Sequence, residues 1–164
     1  MYHAVQIISI LLVVLALVPA LAHVLEFPGK AKLGKEAYFT VQPIYYPGFT
    51  VAGGVGEAGG LVSTIVLLLL TPFGTSAFEW TLLAVTGLLG MEVVFWLFTA
   101  PVNRVWLQNT NVGNFGAALF SSSSHLPNKD WQKLRDQWER SHLVRAGLVA
   151  VSFIALIFAA VFPE

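Results

Sequence analysis

Residues 49–70 read FTVAGGVGEAGGLVSTIVLLLL, an apolar run in which Glu57 is the sole ionisable side chain. A bilayer core is crossed by roughly 20 apolar residues of helix, so this segment is long enough to span. It ends at Thr71-Pro72 with Gly74 just beyond, the punctuation expected where a helix stops. Gly56 and Gly60 form a GxxxG, with Gly53, Gly54 and Gly59 beside them, and Ala146 and Ala150 repeat the spacing. Small residues spaced this way let helices approach closely in lipid, and their density around Glu57 turns that carboxylate toward a bundle.

Working outward, residues 4–25, 77–99 and 142–162 are further apolar runs, the third span stopping at Pro101. With 49–70 they predict one membrane domain over residues 1–164, an all-α integral membrane four-helix up-down bundle. The composition agrees: 56% of residues are hydrophobic and 11% charged, against about 25% charged in soluble domains. Mean hydropathy is +0.72. Nine basic residues balance nine acidic ones without a basic stripe, which argues against nucleic-acid binding. Cysteine is absent, excluding disulfides, thiolate metal sites and cysteine nucleophiles. Pro19-Ala-Leu-Ala22 has the look of a signal-peptidase site, but residues 1–6 carry no Lys or Arg, so the segment reads as a retained span.

The basic residues predict orientation. Lys30, Lys32 and Lys35 fall in the first loop; Arg104, Lys129, Lys133, Arg135 and Arg140 fall in the third, with Arg145 just inside the fourth span. The second loop and both termini have none. Loops one and three are therefore expected in the cytoplasm, and both termini outside the inner membrane. Residues 33–42 predict a short interfacial helix with Tyr38 and Phe39 at the lipid headgroups, or else an aromatic lid over a site. In the third loop, residues 109–124 read as polar surface. A cap at Asn128 then opens a polar helix that runs unbroken into the fourth span, a rod of roughly 50 Å at 1.5 Å per residue. His3 and His125 read as solvated.

Ionisable residues crowd toward the cytoplasmic end. His23 and Glu26 close the first span, Glu57 lies early in the second, Glu92 late in the third, and Glu139 and His142 open the fourth. Residues three apart share a helix face, so each His/Glu pair projects together. Charges at this depth are costly and call for a partner or a purpose. Four readings follow. Two glutamates plus two Glu/His pairs are the ligand inventory of dinuclear iron or manganese bundles, which nominates His23, Glu26, Glu57, Glu92, Glu139 and His142 as metal ligands. Haem between His23 and His142 is the second. A site for a hydrophobic aromatic or quinone-like molecule is the third. In it Glu57 and Glu92 act as base, His23 and His142 relay protons, Arg145 steadies an oxyanion, and Tyr45, Tyr46 and Trp96 line the pocket. The fourth is an ion-pair network with Arg145, in a non-enzymatic subunit that binds lipid, another copy or a membrane partner.

The segments AHVLEFPGK (residues 22–30), VQPIYYPGFT (41–50) with Glu57, PVNR (101–104) and WQKLRDQWERSHLVR (131–145) are the most distinctive in the chain. They resemble a small bacterial four-span membrane family of unknown function, itself distantly similar to the anthrone oxygenases. That resemblance implies an oxidoreductase or oxygenase acting on a phenolic or quinone-type substrate, without an obvious cofactor.

Overall fold

In the computed structural model, residues 1–46, 48–106 and 130–164 are described. Helix α1 is Tyr2–Lys30, α2 Lys35–Val41, α3 Gly48–Leu70, α4 Ser76–Val94, α5 Ala100–Trp106 and α6 Trp131–Val161. No strand occurs among the described residues. Four helical stretches, Tyr2–Lys30, Gly48–Leu70, Ser76–Trp106 and Trp131–Val161, are long and apolar enough to cross a membrane. Their outer faces expose Leu11, Val18, Val55, Val62, Leu89, Val93, Val151 and Ile154. Such a contiguous apolar surface is soluble only in lipid, and the protein is a multi-pass membrane protein with an all-α four-helix bundle.

The helices alternate in direction. At one end Ser76 N–H donates to the carbonyl of Glu164 (3.1 Å) and the Thr71 hydroxyl meets Tyr2 Oη (3.5 Å), gathering both termini and the α3–α4 turn. Gly74, at φ 84°, supplies the left-handed residue of that turn, and the Thr75 side chain caps α4 by accepting from Phe78 N–H at 3.2 Å. Two seams are closed by small residues. A Cβ on Gly56 would lie 2.5 Å from Ala16 N, so α1 and α3 meet backbone to backbone. A Cβ on Gly87 would overlap Ser152 Oγ and lie 3.1 Å from Leu148 O, so α4 and α6 meet as closely. Buried Ala16, Leu67, Ala84, Leu88, Val149 and Leu156 fill the space between.

Several boundaries differ from the expectation. Helix α1 runs past Pro28-Gly29 to Lys30, whose side chain is buried rather than free in a loop. The third spanning helix does not stop at Pro101. A π-turn over Phe95–Thr99, with Ala100 N–H reaching Phe95 O, precedes the proline and carries the helix on to Trp106. The wider turn absorbs the crowding of a proline ring, and the Gln137 side-chain amide donates to Phe98 O at 2.9 Å from α6. Helix α6 begins at Trp131, capped by Asp130, which accepts from Gln132 N–H at 3.1 Å. The predicted Asn128 cap, Lys129, His125 and the polar stretch 109–124 lie outside the described residues.

The interfacial helix exists as α2, but Tyr38 does not face headgroups: it is buried, packed edge-on against Trp106 with ring centroids 5.7 Å apart. Its hydroxyl explains the inversion, because it donates to a buried carboxylate on α6. Phe39 packs on Trp106 as well, at 5.5 Å.

Candidate functional site

A cavity of about 200 Å³ lies at the end of the bundle where α1 finishes and α3 begins. Helix α1 contributes Pro19, Ala20 and His23; α3 contributes Phe49, Thr50, Gly53, Gly54, Glu57 and Ala58. Glu92 of α4, Phe95, Trp96 and Thr99 of the π-turn, and Asn103 of α5 form the opposite wall. Trp138, His142 and Arg145 of α6 close the back, and Tyr45 and Tyr46 form the roof. Every residue predicted as catalytic or substrate-binding, namely His23, Glu57, Glu92, His142, Arg145, Tyr45, Tyr46 and Trp96, is on this wall. Two of the lining residues, Ala58 of α3 and Trp96 of the π-turn, are exposed on the outer surface of the bundle.

Arg145 organises the polar side. Its Nη2 donates to Glu57 Oε1, its Nη1 lies 3.5 Å from His142 Nε2, and its guanidinium sits over the Phe95 ring at 4.9 Å. The His142 Nδ1 lies 2.9 Å from the Trp138 carbonyl. A carbonyl only accepts, so Nδ1 carries the proton and Nε2 offers its lone pair to Arg145. Both nitrogens of His142 are thereby engaged, which makes it a brace for Arg145 rather than a free relay. His23 is caged by the rings of Tyr45 (5.0 Å), Phe49 (5.2 Å), Trp138 (5.0 Å) and His142 (4.3 Å). Its Nδ1 is buried without a hydrogen-bond partner among the described residues. Glu92 lies one helical turn before Trp96 on the same wall.

Glu26 and Glu139 are not on the cavity wall. Glu139 Oε1 accepts from Tyr38 Oη at 2.8 Å and pairs with Lys30 Nζ at 3.0 Å, all three side chains being buried. The ammonium also lies over Trp138 (4.7 Å) and Tyr45 (4.9 Å). Burial and then the Glu139 charge raise the Tyr38 phenol well above its ordinary pKa, so it stays a donor. Burial likewise raises Tyr45, reinforced by its hydrogen bond to Glu26, and burial alone raises Tyr46.

The six proposed metal ligands are thus divided between two networks. Among the described residues, no group of three or more His, Asp or Glu side chains is arranged to hold a metal ion. The residues present do not fit a dinuclear centre: Glu139 is committed to Lys30 and Tyr38, and Glu57 to Arg145. Nor do they fit haem between His23 and His142. Those rings touch edge to face with centroids 4.3 Å apart, leaving no room for a porphyrin plane.

Other positions of the site carry little signal in the sequence. Asn103 Oδ1 accepts from both Trp138 Nε1 (2.7 Å) and Tyr46 Oη (3.1 Å), tying roof to back wall. Thr99 Oγ1 meets Ser141 Oγ at 2.8 Å, and Ser141 donates to the Trp138 carbonyl at 2.7 Å. Trp138 lies four residues before His142, so helical spacing alone puts it beside that imidazole. Arg145 lines the cavity, whereas Arg140 is exposed and Arg104 lies off the wall. Comparisons of the chain with family models, with curated proteins and with solved structures find no match.

Proposed function

We propose that the protein is a membrane oxidoreductase that draws a phenolic or quinone-like molecule from the bilayer into this cavity. The observation that carries the reading is an aromatic-walled cavity whose polar side holds Glu92 and His23 beside a braced Arg145–Glu57 pair. Arg145 and Glu57 fix the geometry, because an ion pair in a dry site is rigid and its removal is costly. Glu92 and His23, on the cavity wall, take the hydroxyl proton as the ring is oxidised. Dioxygen is the electron acceptor implied by the resemblance to anthrone oxygenases: a quinol gives up two protons and two electrons, and dioxygen leaves as hydrogen peroxide. The distribution of basic residues supports an inner-membrane location with this end of the bundle at the cytoplasmic face.

The test is oxygen uptake by purified protein in lipid nanodiscs supplied with a substituted hydroquinone. Wild type should consume oxygen, and Glu92→Gln should lose roughly a hundredfold or more, the usual contribution of a positioned acid–base group. Full activity in Glu92→Gln and His23→Gln would overturn the proposal. The Lys30–Glu139 and Arg145–Glu57 contacts favour a second reading, a non-enzymatic membrane subunit whose ion pairs set helix register. That reading requires well-folded wild-type protein to be inert toward every quinol tested.

A further inference from the structure

We infer that the cavity takes the head of an uncharged, single-ring phenol or quinol, whose alkyl tail leaves through the seam between α3 and the π-turn. The inference rests on the proposed phenolic site and narrows its ligand class.

Size comes first. The cavity measures about 200 Å³. A cavity of about 150 Å³ accommodates one benzene, so this one has room within its walls for a single substituted ring, and three fused rings would have to project beyond them. The walls suit such a ring, since Phe49, Phe95 and Trp96 offer faces and edges for aromatic contact.

The exit route follows from where the bundle is closed. Gly56 against Ala16 seals α1 to α3, and Gly87 against Ser152 and Leu148 seals α4 to α6. Between α3 and the π-turn the rim residues Ala58 and Trp96 are exposed, and Val55 and Val93 beside them are 50% and 55% exposed on the apolar surface. A tail leaving there runs directly into hydrocarbon.

Charge decides the head. The one guanidinium on this wall, that of Arg145, is already paired with Glu57, so an anionic head would find no free cation there. A carboxylate or phosphate ligand would add a further negative charge to a water-poor site. An uncharged hydroxyl donates to Glu92 or to His23 and adds none.

The experiment uses the full chain in nanodiscs, with quenching of Trp96 and Trp138 fluorescence as readout and empty nanodiscs to correct for partitioning. The probes are 4-decylphenol, 4-ethylphenol, anthrone and decanoate. Saturable binding of 4-decylphenol, at least tenfold tighter than that of anthrone or decanoate, is the expected result. Ala58→Phe, on the exposed rim, should weaken 4-decylphenol at least tenfold more than it weakens 4-ethylphenol. Val62→Phe, further along the same exposed face, should change neither and controls for folding. Anthrone binding as tightly as 4-decylphenol would sink the single-ring assignment while leaving the phenolic site standing. Equal binding of decanoate would sink the uncharged head. An Ala58→Phe protein that binds 4-decylphenol normally would sink the tail route. No saturable site for any ring probe would remove the parent proposal as well.

Discussion

Replacing Lys30 with Met leaves the Glu139 carboxylate buried without a cation. Glu139 is 3% exposed and Lys30 5%, so no water is at hand to take over. Breaking a buried pair by removing one partner costs about 3–5 kcal/mol, because the remaining charge is uncompensated. The ammonium also faces the Trp138 and Tyr45 rings at 4.7 and 4.9 Å. Contacts of that kind contribute about 0.5–1 kcal/mol each, or more when desolvated. The Met side chain keeps the apolar stem of Lys30 in place, and Tyr38 still donates to Glu139, which offsets part of the loss. A net destabilisation of about 4 kcal/mol is expected.

The double variant Lys30→Met/Glu139→Gln separates a stranded charge from lost packing. The Gln amide oxygen still accepts from Tyr38, and no charge is left behind. The double variant should therefore be more stable than Lys30→Met alone, with a coupling energy of about 2–3 kcal/mol between the sites. Reversible unfolding in mixed micelles titrated with dodecyl sulfate, followed by tryptophan fluorescence and helical circular dichroism, gives the required free energies. A Lys30→Met cost below about 1 kcal/mol, or strict additivity in the double variant, would refute the claim that this pair is a tightly coupled structural contact.

Gly56→Ala should destabilise the bundle by about 1–3 kcal/mol, because its Cβ would meet the Ala16 backbone at 2.5 Å and backbone cannot move aside. Gly59→Ala, whose Cβ meets only the Leu12 side-chain tip at 3.3 Å, should cost far less in the same titration. Asn103→Leu removes the acceptor shared by Trp138 and Tyr46 and should cost about 1–3 kcal/mol for each donor left buried and unpaired, with a change in the Trp138 emission spectrum. Stability should also fall at alkaline pH. Tyr38 has a raised folded pKa, so its contribution is complete below the unfolded value of about 10 and is lost, at about 1.4 kcal/mol per pH unit, as pH rises above it. A Tyr38→Phe variant should show a shallower alkaline decline, measured by the same titration between pH 9 and about 11.5.

The spans and the convergence of ionisable residues could be read from the sequence because both follow from local rules. Hydrocarbon thickness sets the length of an apolar run, and helical rise sets the depth of each charge within it. Apart from the ion pairing of Arg145, which holds Glu57, what could not be read was pairing across helices. Lys30 looks like a loop lysine because Pro28-Gly29 precede it, yet Glu139 on another helix holds it buried at 3.0 Å. Pro101 looks like a terminator because a proline usually ends a helix, yet the π-turn before it and Gln137 from α6 carry the helix through. Tyr38 looks like an interfacial anchor until Glu139 supplies an acceptor beneath it. In each case a partner far away in the chain overrides the local preference.

That same consideration divides the ionisable cluster into its two parts. A buried polar group whose partners all come from the protein has its desolvation offset in the folded state and has nothing left with which to meet a ligand. Glu139 is of this kind, with Tyr38 and Lys30 on one oxygen, and so is His142, bonded at one nitrogen and faced by Arg145 at the other. His23 and Glu92 are different. Among the described residues His23 Nδ1 has no hydrogen-bond partner, and Glu92 forms no ion pair with Arg145, which is held by Glu57. Both stand on the wall of the cavity. Incomplete satisfaction at membrane depth is expensive in the empty protein and is relieved by a hydroxyl-bearing guest, so His23 and Glu92 on the cavity wall mark where such a guest would be held.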